Sequence, residues 1–157
     1  MGILEWLQQS PLGIFVAETL WAYPLFETLH TIGMALLIGS LGLINLRIIG
    51  YKPALPIVGT LDLLPLAWLG FSVNLISGLA LFSSDAVYFW SSMTFKIKLG
   101  LILLAGINAF ILSQSVFRDA RAGNTAGLHP GVKVIAASSL VFWIGAVIAG
   151  RLIAYLP

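Results

Sequence analysis

Residues 25–50 read LFETLHTIGMALLIGSLGLINLRIIG, an almost unbroken apolar stretch of 26 residues. Because a helix rises about 1.5 Å per residue, this stretch is long enough to cross a hydrocarbon layer of about 30 Å with some tilt. It predicts a membrane-spanning helix. His30 follows Pro24 by about a turn and a half, so we expect it below the membrane interface, where an ionisable side chain indicates a functional site.

The composition indicates an integral membrane protein. Of the 157 residues, 59% are hydrophobic and 9% are charged, whereas a soluble domain carries about 25% charged residues. The absence of cysteine excludes disulfides, iron–sulfur clusters and thiolate metal sites. The first residues carry Glu5 and no basic group, so they do not resemble a cleaved signal peptide. The net charge of +2 gives no reason to expect a nucleic acid partner.

Three further apolar stretches follow, at about 63–82, 95–116 and 132–156. The sequence therefore predicts an all-α fold, an integral membrane four-helix bundle in which residues 1–157 form a single transmembrane domain in the lipid bilayer.

A short helix is predicted before the first span. Ser10 followed by Pro11 is typical of an N-cap and a first helical position. The segment from about 10 to 23 ends in Trp21 and Tyr23, which are typical of a membrane interface. We interpret it as an interfacial helix, with Pro24 marking the turn into the bilayer.

The basic residues predict the orientation. Most lie at the end of span one, the end of span three or the start of span four, which is one side of the membrane: Arg47, Lys52, Arg118, Arg121 and Lys133. The positive-inside rule places that side in the cytoplasm. We therefore expect a multi-pass protein of a bacterial inner membrane with both termini in the periplasm.

Small residues at small-xxx-small spacing occur on two spans. Ala35 and Gly39 form one pair, and Ala146 and Gly150 form the other. Such pairs allow helices to approach closely, so we expect both to be contacts within the bundle, with contacts between copies of the chain as the alternative.

Three basic side chains are predicted to share one depth. His30, Lys98 and Arg151 lie about three to five residues from the outer ends of three different spans. A charge in hydrocarbon costs several kcal/mol, so we expect these side chains to point into the bundle or toward a ligand. Residues expected at the rim above them are Glu27, Asp85 and Lys96.

This layer has a functional and a structural interpretation. In the functional one, His30 is an axial ligand of a haem b, and Lys98 and Arg151, with Lys96, neutralise its propionates. In the structural one, Lys98 and Arg151 extend to the headgroups, while His30 bonds to a neighbouring side chain or a backbone carbonyl.

Copper is the metal alternative. His30 and Met34 lie four residues apart on one helical face and are soft ligands suited to Cu(I). Met93 is a third ligand only if its loop folds inward. His129, in the loop motif GLHPG, lies on the predicted cytoplasmic side and cannot share a haem with His30 of the same subunit.

Other polar residues predict structural roles. Asn45 and Arg47 are candidates to cap neighbouring helix ends, and Asn74 and Asn108 are candidates to hydrogen-bond between helices. The usual motifs of nucleotide-binding, hydrolytic and zinc enzymes are missing, so no catalytic residue is predicted and enzyme activity stays open.

Four segments together resemble a family of small four-span bacterial inner-membrane proteins: WAYPLFETLHTIGMALLIGSLGLINLRIIG (21–50), FSVNLISGLALF (71–82), FKIKLGLILLAGIN (95–108) and AGRLIAY (149–155). The family pattern reads W-x-Y-P-x-x-E-x-x-H, D-L-R-x-x-G, F-x-x-K and G-R-x-x-x-Y. Asn45 stands where the pattern usually has Asp, so no role of that carboxylate carries over. The bundle is more distantly similar to copper-resistance membrane domains and b-type cytochrome bundles, and this analogy implies haem as the cofactor, in agreement with His30, Lys98 and Arg151.

Three functions follow as hypotheses. The first is a haem b protein that passes electrons between haem and a quinone or a periplasmic redox partner. The second is a protein that handles copper or a small ion. The third is a structural subunit that docks onto a larger membrane complex or onto copies of itself.

Overall fold

A computed structural model describes residues 2–51, 57–121 and 130–156, which form helices with no strand among them. The helices are α1 Ile3–Gln8, α2 Pro11–Glu18, α3 Ala22–Ile49, α4 Ile57–Leu61, α5 Leu64–Ser84, α6 Ala86–Ser91, α7 Met93–Arg121 and α8 Pro130–Leu152. Four segments are long and apolar enough to cross a membrane: Ala22–Ile49, Gly59–Ser84, Met93–Ser115 and Pro130–Leu152. The prediction of an all-α membrane bundle with four spans is confirmed.

The N-terminal helix forms where the capping signal predicts it. The Ser10 hydroxyl accepts a hydrogen bond from the Gly13 N–H at 3.1 Å, and Pro11 occupies the first turn of α2. The chain then turns at residues 19–21, before Pro24. Pro24 lies in the first turn of α3, where a missing N–H costs no helical hydrogen bond. The turn into the bilayer is therefore earlier than the proline signal indicated.

The spans are arranged in the order α5, α3, α8, α7. Helix α3 packs against α5 and α8, and α8 also packs against α7. One buried residue from each span meets in a central cluster formed by Leu37, Ala67, Ala105 and Trp143. Helices α5 and α7 are the flanking members, and along most of their length they do not pack against each other.

Glycines bring α3 and α5 close together. A Cβ atom at Gly70 would lie 2.5 Å from the backbone N of Leu37, and one at Gly33 would lie 2.7 Å from the backbone N of Asn74. Both distances are shorter than van der Waals contact, so only glycine fits at these positions. Residues 33 and 37 therefore form the face of α3 that contacts α5.

The predicted contact pair Ala35 and Gly39 is wrong for the bundle. Both residues are exposed, and a Cβ atom at Gly39 would have no neighbour within 4 Å. They lie two residues from the true contact positions and thus on the opposite side of the helix. The pair on α8 is confirmed, because Ala146 is buried and Gly150 lies against Lys98.

Aromatic side chains join α5 and α7 at the end of the bundle that carries both chain termini, here called the terminal end. The rings of Phe82 and Phe95 stack with centroids 5.4 Å apart, and Phe89 packs beside them. The Thr94 hydroxyl donates to the carbonyl of Leu156 at 2.8 Å, which ties the start of α7 to the end of the chain. The gap between α5 and α7 is therefore bridged at this end.

Candidate functional site

His30 is held by hydrogen bonds to α5. Its Nδ1 atom lies 3.0 Å from the carbonyl oxygen of Asn74 and 3.2 Å from the hydroxyl oxygen of Ser77. Because a carbonyl oxygen only accepts hydrogen bonds, Nδ1 carries the ring proton and donates it to Asn74. The other ring nitrogen, Nε2, is therefore left with its lone pair available to a ligand.

Two features of α5 fix the position of the imidazole. The side-chain amide of Asn74 donates to the backbone carbonyl of His30 at 2.9 Å, so the two residues are joined in both directions. A Cβ atom at Gly78 would lie 2.9 Å from Cε1 of His30, so the ring lies directly against the bare backbone there. The imidazole donates a hydrogen bond to a backbone carbonyl, as the structural interpretation predicts. Its other nitrogen, Nε2, carries no proton, which is the state in which an imidazole binds a metal ion.

The Lys98 side chain packs against α8 at Gly150. Carbon and nitrogen atoms of the Lys98 side chain lie 3.4–3.5 Å from the place where a Cβ atom of Gly150 would be, so the chain runs across α8 beside Arg151. Lys98 is also close enough to His30 for an electrostatic interaction between them. Among the side chains that the structure describes, no hydrogen-bond or ion-pair partner is found for Lys98 or Arg151. Lys98 is half-buried, whereas Arg151 is exposed, so the expectation that all three side chains point into the bundle is not met by Arg151.

The predicted rim residues lie at the surface. Glu27, Asp85 and Lys96 are all exposed. The Lys96 ammonium lies 6.0 Å from the centroid of the Trp90 ring, in the range of a cation–π contact. Lys96 is therefore directed to a different neighbour from Lys98.

The ligands predicted for copper are only partly brought together. Met34 is half-buried one helical turn from His30. Met93 is the first residue of α7 and 64% exposed, so it does not turn inward as a third ligand would. In the described ranges, no three His, Asp or Glu side chains lie close enough to hold a metal ion. His129 lies outside the described residues.

A cavity of about 460 Å³ lies between α5 and α7, with α3 and α8 behind it. Its walls are almost entirely apolar and include four aromatic rings, and two of its polar lining residues are Asn45 and Ser139. His30, Lys98 and Arg151 do not line it. It is therefore separate from the histidine and lies toward the other end of the bundle.

Two asparagine–serine pairs join the spans. The Asn45 amide donates to the Ser139 hydroxyl at 3.1 Å, and the Asn108 amide donates to the Ser138 hydroxyl at 2.7 Å. The prediction that Asn108 bonds between helices is confirmed, but Asn45 joins α3 to α8 rather than capping a helix end. The two serines were missed, although they lie next to each other in an otherwise apolar run.

Comparison with protein-family models, curated proteins and solved structures finds no match to this chain. The function therefore has to be inferred from the residues of the site.

The donor chemistry of these residues fits a haem b. A haem iron takes an imidazole nitrogen whose ring is held by a hydrogen bond from the opposite nitrogen, and Nε2 of His30 meets that description. Haem carries two carboxylates, and Lys98 and Arg151 are cations without a protein partner among the described side chains.

Proposed function

We propose that the protein is a haem b-binding electron-transfer protein of a bacterial inner membrane. The observation that carries this proposal is the hydrogen bond from Nδ1 of His30 to the carbonyl of Asn74, at 3.0 Å. With Nδ1 donating to the carbonyl, Nε2 would be the nitrogen that binds the haem iron, and the hydrogen bond would hold the ring in one orientation, as a backbone carbonyl commonly does for metal-bound histidines. Bound haem would supply the one-electron chemistry.

Each of the other residues has a role toward the cofactor. Lys98 and Arg151 would neutralise the two carboxylates, and Lys96 would add positive charge at the surface. Gly78 keeps the side of the imidazole free of any side chain, so the ring stays against α5. The electron partner would be a quinone in the bilayer or a redox protein in the periplasm.

The location of the site follows from the orientation proposed for the chain. Arg47 and Lys133 lie near the end of α3 and the start of α8, at the end of the bundle opposite the chain termini. Placing that end in the cytoplasm puts both termini and His30 on the periplasmic side.

An absorption spectrum tests the proposal. We expect the protein, purified from cells with sufficient haem, to show a Soret band that is lost in His30→Ala. His129→Ala is the matched control because it removes the other histidine of the chain, and it should retain the band. A parent protein without a Soret band, or an unchanged band in His30→Ala, would refute haem binding at this residue.

Replacing the two cations tests the role of the polar layer. We expect Lys98→Met and Arg151→Met each to lower the haem content while leaving the helix content unchanged, because methionine is well tolerated in hydrocarbon. Arg151→Met should have the larger effect, since a guanidinium binds a carboxylate through two hydrogen bonds and an ammonium does not. The measurement is haem per protein together with thermal melts followed by circular dichroism.

If both side chains instead extend to the headgroups, both variants should match or exceed the parent in thermal stability, because an intramembrane charge has been removed. Melts and haem contents identical to those of the parent would count against a ligand-binding layer.

A further inference from the structure

The cavity between α5 and α7 is accessible from the hydrocarbon. Trp68 of α5 and Phe110 of α7 both line it, and they are 67% and 65% exposed. Because α5 and α7 do not pack against each other along most of their length, the space between them faces the bilayer. A volume of about 460 Å³ lies within the range of small-molecule sites in proteins.

The wall formed by α8 carries buried hydrogen-bond donors. Asn45 and Ser139 are 2% and 1% exposed, and the Ser139 hydroxyl accepts a hydrogen bond from the Asn45 amide. Accepting that bond leaves the hydroxyl hydrogen of Ser139 free to donate. Four residues further along α8, Trp143 also lines the cavity and is 7% exposed.

The indole N–H of Trp143 has no partner among the described residues. A buried N–H without an acceptor is uncommon because losing its hydrogen bond to water costs about 1–3 kcal/mol. Ser139 and Trp143 line the cavity about one helical turn apart on α8. The indole nitrogen itself is closed off from the cavity, so a ligand that accepts hydrogen bonds from both residues requires the Trp143 ring to turn toward it.

The aromatic walls of the cavity and its depth in the hydrocarbon restrict the type of ligand that it can bind. Trp68, Phe71, Phe110 and Trp143 are the four aromatic residues that line the cavity and suit a flat ring. Trp143 lies 13 residues after Pro130, which is about 20 Å along α8. The ester oxygens of a phospholipid lie near the headgroups, so an acceptor at the depth of Trp143 has to belong to a molecule whose polar atoms enter the hydrocarbon.

We propose that this cavity binds the ring of an isoprenoid quinone from the bilayer. A quinone has a flat ring, two carbonyl oxygens on opposite edges and an apolar tail that would leave between α5 and α7. A role of this quinone as the electron partner rests on the haem function proposed above, whereas its binding does not.

Ligand-induced stabilisation tests the binding. We expect decylubiquinone to raise the thermal unfolding midpoint of the purified protein in detergent by several degrees, because a ligand that binds the folded state stabilises it. Gly106→Leu should abolish this shift. Gly106 lines the cavity and a Cβ atom there would meet nothing within 4 Å, so the leucine enters open space without a clash.

Gly100→Leu is the matched control. Gly100 lies on the same helix, also has no neighbour within 4 Å of its Cβ position, and does not line the cavity. It should retain the full shift. If Gly106→Leu retains it too, or if the parent shows no shift, the proposal fails.

Trp143→Phe tests the hydrogen bond. The variant keeps an aromatic ring and removes an N–H that has no partner in the described chain, but it also loses part of the packing of Trp143 in the central cluster, so its stability without ligand should change little. Its affinity for decylubiquinone, from titration of the midpoint shift, should fall about tenfold. An unchanged affinity in both Trp143→Phe and Ser139→Ala would overturn recognition of the carbonyls.

Two further measurements distinguish quinone binding from acyl-chain binding and from haem binding. Decylbenzene has the tail and a ring but no carbonyl, so a shift equal to that of decylubiquinone would mean that the cavity holds acyl chains and not quinones. His30→Ala should keep the quinone shift. If decylubiquinone shifts the midpoint of a parent protein that has no Soret band, quinone binding is supported and haem binding is refuted. If the parent has a Soret band but shows no shift, haem binding is supported and quinone binding is refuted.

Discussion

Among the other spans, helix α5 contacts α3 closely and α7 hardly at all. Against α3, the backbones approach so closely that a Cβ atom at Gly70 would lie 2.5 Å from the backbone of Leu37. Toward α7, the same helix borders a cavity of about 460 Å³ and is bridged mainly by the stacked rings of Phe82 and Phe95 at the terminal end.

The difference shows what holds helices together in a bilayer. Burial of apolar surface gives little preference for helix over lipid, so close packing and hydrogen bonds between helices decide which pairs form. Gly33 and Gly70 allow both at the α3–α5 contact, where His30 and Asn74 are joined by two hydrogen bonds. Where large side chains such as Trp68 and Phe110 face the gap, the helices stay apart.

The largest effect is expected from disrupting the close contact between α3 and α5. We expect Gly70→Ala to lower the free energy of unfolding by about 3 kcal/mol, because the new methyl group would lie within 3 Å of backbone atoms that cannot move aside. The measurement is unfolding in mixed detergent micelles followed by circular dichroism.

Gly39→Ala is the control for this change, because it adds the same methyl group on the lipid-facing side of α3, where nothing lies within 4 Å. It should be neutral or slightly stabilising. Equal losses in the two variants would show that the glycine contact does not hold α3 against α5.

A smaller effect is expected behind the gap, where Asn45 joins α3 to α8. We expect Asn45→Leu to lower the free energy of unfolding by about 1 kcal/mol, which is typical of a hydrogen bond between membrane helices. The same unfolding assay measures it. A loss as large as that of Gly70→Ala would mean that polar bonds, and not close packing, determine the arrangement of the spans.

The smallest effect is expected for Asn108→Leu. This change removes a bond to Ser138 of 2.7 Å, but it also removes the Asn108 side-chain oxygen, which is buried and has no partner among the described residues. The two contributions oppose each other, so the free energy of unfolding should change by less than about 0.5 kcal/mol. A loss above that of Asn45→Leu would indicate that the oxygen has a partner after all.

The sequence by itself determined the features that depend on local chemistry. Four apolar stretches predict four spans because their length matches the thickness of the hydrocarbon layer. Ser10 predicts the start of α2 because its hydroxyl bonds to a backbone N–H only three residues away. The placement of His30 near one end of its span follows in the same way, from counting residues along a helix.

Only the tertiary structure decided which side of each helix meets which neighbour. In a span that is apolar on all sides, hydrophobicity does not distinguish the face toward lipid from the face toward protein, so Ala35 and Gly39 were as good a contact pair as Gly33 and Leu37. The bond from His30 to the Asn74 carbonyl joins residues 44 apart in the chain, and the cavity depends on where α5 and α7 fail to meet. The hydrogen bond and the cavity both depend on how whole helices are rotated and spaced. Side-chain packing between helices determines this arrangement, and no local sequence pattern predicts it.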